Sequence, residues 1–168
     1  MTLAYKFLRP GRMGPFTHAA WPAPGGWLDA GGSPELCRCG IHALLTQALP
    51  RWMTEELWQV ELEGAEPRDD GIVLARRGRL VARVTGWSDE TAGAYAADVV
   101  SHLPGSKDGL ARARATDVVA MSANVRADTT AAAVGHMAAM AAEAVEPGGY
   151  ERERLRQAAW LAERLGLS

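Results

Sequence analysis

The sequence predicts an α+β protein, with a small mixed or antiparallel sheet in residues 1–87 and an alanine-rich helical bundle in residues 88–168. Three observations carry that reading. Residues 57–63 alternate apolar and polar, with Trp58, Val60 and Leu62 on one face and Gln59 and Glu61 on the other, the period of a half-buried strand. The alternation does not return after Gly86-Trp87. Beyond it the chain is rich in alanine and broken at Pro104-Gly105, Ala127-Asp128 and Pro147-Gly148-Gly149. The two halves, 1–87 and 88–168, are expected to fold as one cooperative unit.

Taken in order, residues 5–8 alternate and then meet Arg9-Pro10-Gly11, a short strand running into a turn. Residues 12–34 form a long Gly- and Pro-rich loop carrying Phe16, Trp21 and Trp27. Loops of that length are uncommon unless they are functional or disordered, and the aromatics favour one that packs down on a core. Residues 46–53 read as a short helix that Pro50 weakens or ends. Residues 64–71 are a charged turn. Residues 72–75 and 80–84 are two more apolar runs, either a solvated hairpin with Arg76, Arg77 and Arg79 at its turn or one bulged strand.

Ser88-Asp89-Glu90 is a helix start, a capping hydroxyl followed by acids that suit the positive end of the helix dipole. Helices are predicted at 89–103, 109–126, 129–145 and 150–165. In the last, Leu155, Ala158, Ala162 and Leu165 form an apolar stripe. Alanine-rich stripes let helices approach closely, which suits antiparallel packing or a homodimer through the C-terminal helices.

Composition narrows the function. A net charge of −2 argues against a general nucleic-acid binder, whose affinity needs excess Lys and Arg. Arg9, Pro10, Gly11 and Arg12 interrupt the apolar stretch a secretory signal requires, and no apolar run has the roughly 20 residues of a membrane span. Two cysteines two positions apart cannot staple a secreted fold. The expected compartment is the cytoplasm.

Reactive side chains are densest at Cys37-Arg38-Cys39-Gly40-Ile41-His42. Two thiols and an imidazole suit a soft metal, but a structural zinc site needs four ligands and no second pair is spaced to supply them. The expectation is therefore no metal. The spacing is also not that of a redox Cys-x-x-Cys pair. His42 and Cys37 are the candidate catalytic groups. Arg9, Arg12, Cys39 and His42 are the candidate ligand-binding groups, the two arginines as a fork for a carboxylate or phosphate. Against this stands the reading of His42 as a core residue and of Arg9 and Arg12 as solvated charges. Arg76, Arg77, Arg79 and Arg83 form a basic cluster with no aromatic close in sequence to stack a base.

Residues 5–11, Gly14-Pro15-Phe16, Leu36-Cys37, Gly40-Ile41-His42-Ala43, Leu57-Trp58, Glu61-Leu62 and the tail 157–167 resemble a family of uncharacterised actinobacterial proteins. That family brings no activity with it. The middle segment is similar to a short domain of unknown function in phage and bacterial proteins, which often has a cysteine two residues after the histidine. Leu44 stands there. Gly40-Ile41-His42, Ala48 with Trp52, and residues 58–62 also follow the element order of an ADP-ribosyltransferase core, which would imply a nicotinamide cofactor. No glutamate matches the late one such enzymes use, and the residues themselves name no cofactor.

Three functions stay open. The first is a small-molecule-binding or accessory protein with its site between the Arg9–Phe16 loop and the Cys37–His42 segment. The second is an ADP-ribosyltransferase-like enzyme, and the third an interaction module acting through its helices. Because the chain cannot close a four-ligand site, prolonged chelator treatment should leave the melting temperature unchanged. A fall of several degrees that zinc restores would overturn the metal-free expectation.

Overall fold

The alternating and apolar segments become strands, some of which are buried on both faces: Ile72–Ala75 is buried throughout, and in Thr2–Leu8 both Ala4 and Leu8 and Tyr5 and Phe7 are buried. The computed structural model describes residues 1–31, 35, 39–105 and 109–168. These form two compact units, Met1–Leu49 with Thr54–Thr85, and Pro50–Met53 with Gly86–Ser168. No helix of the described residues is long and apolar enough to cross a membrane.

The first unit holds an antiparallel seven-stranded sheet. Its strands are β1 (Thr2–Leu8), β2 (Trp27–Asp29), β3 (Ile41–Leu44), β4 (Glu56–Glu63), β5 (Glu66–Pro67), β6 (Ile72–Ala75) and β7 (Arg77–Arg83). Their order is β2-β7-β4-β1-β3-β6-β5. A 3-10 turn at Thr46–Trp52 joins β3 to β4 and contains Pro50, which that tighter geometry accepts near its end.

β6 and β7 lie on opposite sides of β1 in that order, yet Arg76 alone separates them in the chain. β6 pairs with β3 and β7 pairs with β4, while β1 pairs with both. The sheet must therefore curl round on itself, and residues 72–83 act as one bent strand that closes the ring. Of the two arrangements left open for this segment, a hairpin and one bulged strand, the structure takes the second: the arginines at 77 and 79 lie within a strand, opposite Glu63 and Glu61. The ring's inner face gathers Ala4, Leu8, Ile41, Ala43, Trp58, Val60, Leu62, Val73, Ala75 and Leu80, with Trp21 from the long loop packed among them. Gly78 also faces inward. A Cβ there would stand 3.1 Å from the side-chain ends of both Ile41 and Leu62, so any larger residue would require those side chains to shift.

β2 and β5 were missed in the sequence, being three and two residues long and set in segments read as loop and turn. Strands so short carry no legible alternation.

The second unit contains α1 (Asp89–Ser101), α2 (Gly109–Ser122), α3 (Thr129–Val145) and α4 (Gly149–Leu165). Ser88 caps α1 by accepting from the Thr91 amide, and Asp128 caps α3 by accepting from the Thr130 amide. α4 ends on Gly166, whose φ of 63° is the left-handed turn that a helix stop favours. α2 stops at Ser122, short of the expected 126.

The apolar stripe expected on α4 is corrected as well. Leu155 is 54% exposed, and the buried positions are Gln157, Ala158 and Leu161. A polar network turns the helix this way. Gln157 accepts from the Tyr95 hydroxyl at 2.9 Å and from Arg154 at 3.0 Å, and donates to the Gly135 carbonyl at 3.0 Å and to Glu153 at 2.8 Å. Arg156 joins Glu153 to Asp98 of α1. Burial raises the Tyr95 hydroxyl pKa well above its usual value, so it remains a donor.

This network leaves no room at Gly135. A Cβ there would clash with the Tyr95 hydroxyl and stand 2.8 Å from the Gln157 side-chain oxygen. Gly135→Ala should cost about 2–3 kcal/mol, seen as a lower urea midpoint at unchanged slope. A variant as stable as the parent would show that the network yields without cost.

Candidate functional site

β1 places Ala4, Lys6 and Leu8 on the same face of the sheet, the inner one. Lys6 is thus a cation set among apolar side chains, opposite Trp58 on β4. Its ammonium lies 5.6 Å from the centre of the Trp21 ring, within the range of a cation–π contact. It also donates to the backbone carbonyl of His42, at 2.5 Å. β1 and β3 are paired at Tyr5 and Leu44, so towards Ile41 the strands part and the His42 carbonyl is served by the lysine.

No carboxylate of the described residues forms an ion pair with Lys6. The carboxylate on its own face, Glu56, is committed elsewhere. Glu56 accepts from the Trp58 indole at 3.0 Å and from the Gly11 amide at 3.3 Å, and lies 3.8 Å from Arg83. Burial therefore pulls the Lys6 pKa from 10.5 down to about 8.

Trp21 is held over this lysine by the loop that follows β1. Arg9 and Met13 exchange backbone hydrogen bonds of 2.8 and 3.2 Å, which closes a tight turn. Arg12 then takes a φ of 62°, a left-handed conformation that a residue with a side chain adopts only when its surroundings fix it. They do so twice. The Trp21 amide donates to the Arg12 carbonyl at 3.0 Å, and Arg12 Nε donates to the Trp21 carbonyl at 3.3 Å.

Of the residues singled out from the sequence, Arg12 and His42 are thus linked through Trp21 and Lys6. The His42 part in this is played by its carbonyl. Its imidazole projects from the other face of β3, where it is half-buried and bonded to the Gly40 backbone. Burial and the Lys6 charge both lower its pKa, so the neutral ring is favoured. Arg9 is exposed at its turn. Cys39 is half-buried, and its backbone pairs with that of Glu35 at 3.0 and 3.1 Å. Cys37 lies outside the described residues.

Sequence reading missed Lys6 because alternation in residues 5–8 alone does not reveal which face of a strand is inside. The signal available was the rarity of lysine, of which the chain has two, Lys6 and Lys107. The basic cluster also gains an aromatic that sequence distance hid. Trp27 of β2 lies 5.0 Å from the guanidinium groups of both Arg77 and Arg79. Arg79 is also paired with Glu61 and Arg77 with Glu63, so these charges tie β2 and β4 to β7.

Compared with protein-family models, curated proteins and solved structures, the chain gives no match in any of the three. The site's chemistry is the ground on which function has to be argued.

The ammonium form of Lys6 is disfavoured in the folded chain and not in the unfolded one. Folding stability should therefore rise as pH climbs from about 8 to 10.5, and be lowered below that window by about 2 kcal/mol after discounting for the part of Lys6 that meets water. Lys6→Met should raise stability at pH 7 by about 1 kcal/mol, since relief from burying a charge exceeds the lost hydrogen bond to His42. The gain should shrink between pH 8 and 10.5. Urea unfolding at both ends checks it, and a variant less stable at pH 7 would refute it.

Proposed function

We propose that this chain is a small-molecule-binding protein whose site is the interior of the curled sheet around Lys6, beneath Trp21. One observation carries the reading: a half-buried lysine on an apolar inner face, bonded to one backbone carbonyl and to no carboxylate among the described residues. An ammonium has three N–H donors, and one acceptor among the described residues leaves donors to spend on a ligand. Proteins rarely keep such a charge in an apolar interior unless it serves function, because removing it stabilises the fold.

The ligand this suits is small and partly apolar, with an anionic or carbonyl oxygen to meet the lysine and a flat face to lie against Trp21. Arg12 acts by fixing Trp21. Neither the transferase reading nor the helical interaction reading has a comparable observation behind it. In the helical unit the buried polar groups Tyr95 and Gln157 are bonded to each other.

Benzoate serves as a probe of that chemistry. It should raise the melting temperature of the full chain in a concentration-dependent way. His42→Gln should keep the effect, since the backbone carbonyl remains, and Lys6→Met should abolish it. Equal stabilisation of Lys6→Met and parent, or none of the parent, would overturn the proposal.

A further inference from the structure

The binding reading leaves open what sets Lys6 apart from an ordinary cationic anchor. Arginine would hold an anion better, with five donors in a fixed fork and a charge that does not titrate. A lysine in an apolar setting has one ability arginine lacks. Its amine can lose the proton and act as a nucleophile.

We propose that Lys6 captures a small aldehyde or ketone as an imine within the curled sheet. The inference rests on the binding reading above and deepens it by naming the ligand class. The geometry fits each requirement. The amine is held in place by the His42 carbonyl, which fixes one N–H and leaves the other positions of nitrogen for the incoming carbon. Burial among the apolar side chains of the inner face disfavours charge on the amine, and the faces of Trp21 and Trp58 offer apolar surface to the carbonyl compound's hydrocarbon part.

The charged and titratable groups on the surrounding elements do not restore the ammonium. Glu56 of β4 is occupied by Trp58, Gly11 and Arg83. Arg12 of the loop donates to the Trp21 carbonyl and Arg83 of β7 is paired with Glu56, and neither supplies a negative charge to Lys6. His42 of β3 is favoured neutral. The lowering of the Lys6 pKa to about 8 follows from this setting and leaves a substantial neutral fraction near pH 7.5.

The step balances without a co-reactant. The lone pair on the neutral Nζ attacks the carbonyl carbon, the π electrons of C=O move to oxygen, and one of the two N–H protons passes to that oxygen to give a carbinolamine. Nitrogen then loses its proton as the hydroxyl leaves as water, forming C=N. One water is released for each imine and no atom is oxidised or reduced. Capture is therefore reversible, as carriage or sensing of a carbonyl compound requires.

The chain's second lysine, Lys107, is an internal reference. The full chain is treated with butyraldehyde and cyanoborohydride at pH 7.5, and the adducts are mapped by peptide mass spectrometry. Lys6 should be alkylated at least tenfold faster than Lys107, with a rate that rises through pH 8, and benzoate should protect it. Lys6→Arg removes the nucleophilic amine and should give no adduct at position 6 under the same treatment. Alkylation of Lys6 no faster than Lys107 overturns the imine proposal. If benzoate still stabilises the parent in that case, binding stands and the imine fails. If benzoate does nothing either, both fall.

Discussion

Much of the first unit is arranged around the Lys6 ammonium among apolar side chains. A cation there has to be satisfied or neutralised, and the chain does some of each. The parting of β1 from β3 offers it the His42 carbonyl, and the long loop lays Trp21 across it. Holding Trp21 in turn requires the tight turn at Arg9–Met13 and the left-handed backbone of Arg12. Each of these features costs conformational freedom. Together they fix the first part of the Gly- and Pro-rich loop, from Arg12 to Trp21, against the sheet.

The interior that surrounds this lysine exists because residues 72–83 serve both sides of the sheet. β6 completes one neighbour of β3 and β7 completes one neighbour of β4, with a bend at Arg76. Gly78 makes that bend fit by bringing β7 close to Ile41 and Leu62. Outside the ring, the same strand presents Arg77 and Arg79 to Trp27, Glu61 and Glu63. The basic cluster is therefore spent on cross-strand pairing, which covers the β7 edge with β2.

The helical unit solves a different problem. Alanine stripes permit close packing but do not by themselves choose one register, since one small side chain fits as well as the next. The Tyr95–Gln157–Gly135 contacts choose it. A glycine on α3 admits a tyrosine from α1 and a glutamine from α4, and the hydrogen bonds form only when all three are level. Specificity here comes from polar groups embedded in a surface that is otherwise permissive.

The sequence by itself determined the class of fold, the place where strands give way to helices, the inner face of β4 and the cap at Ser88. All of these are local: a period of two, a capping hydroxyl or a run of alanine can be read within a few residues. It also singled out Arg12 and His42, which the structure connects to Lys6 through Trp21 and through the His42 backbone carbonyl. Tertiary structure alone decided that β6 and β7 are one bent strand, that Gln157 outranks Leu155 on α4, and that Lys6 points inward. Those outcomes depend on distant partners, His42 at 36 residues from Lys6 and Tyr95 at 62 from Gln157. Period and composition are blind to them, because a strand or helix records its own two faces and not which face another part of the chain will cover.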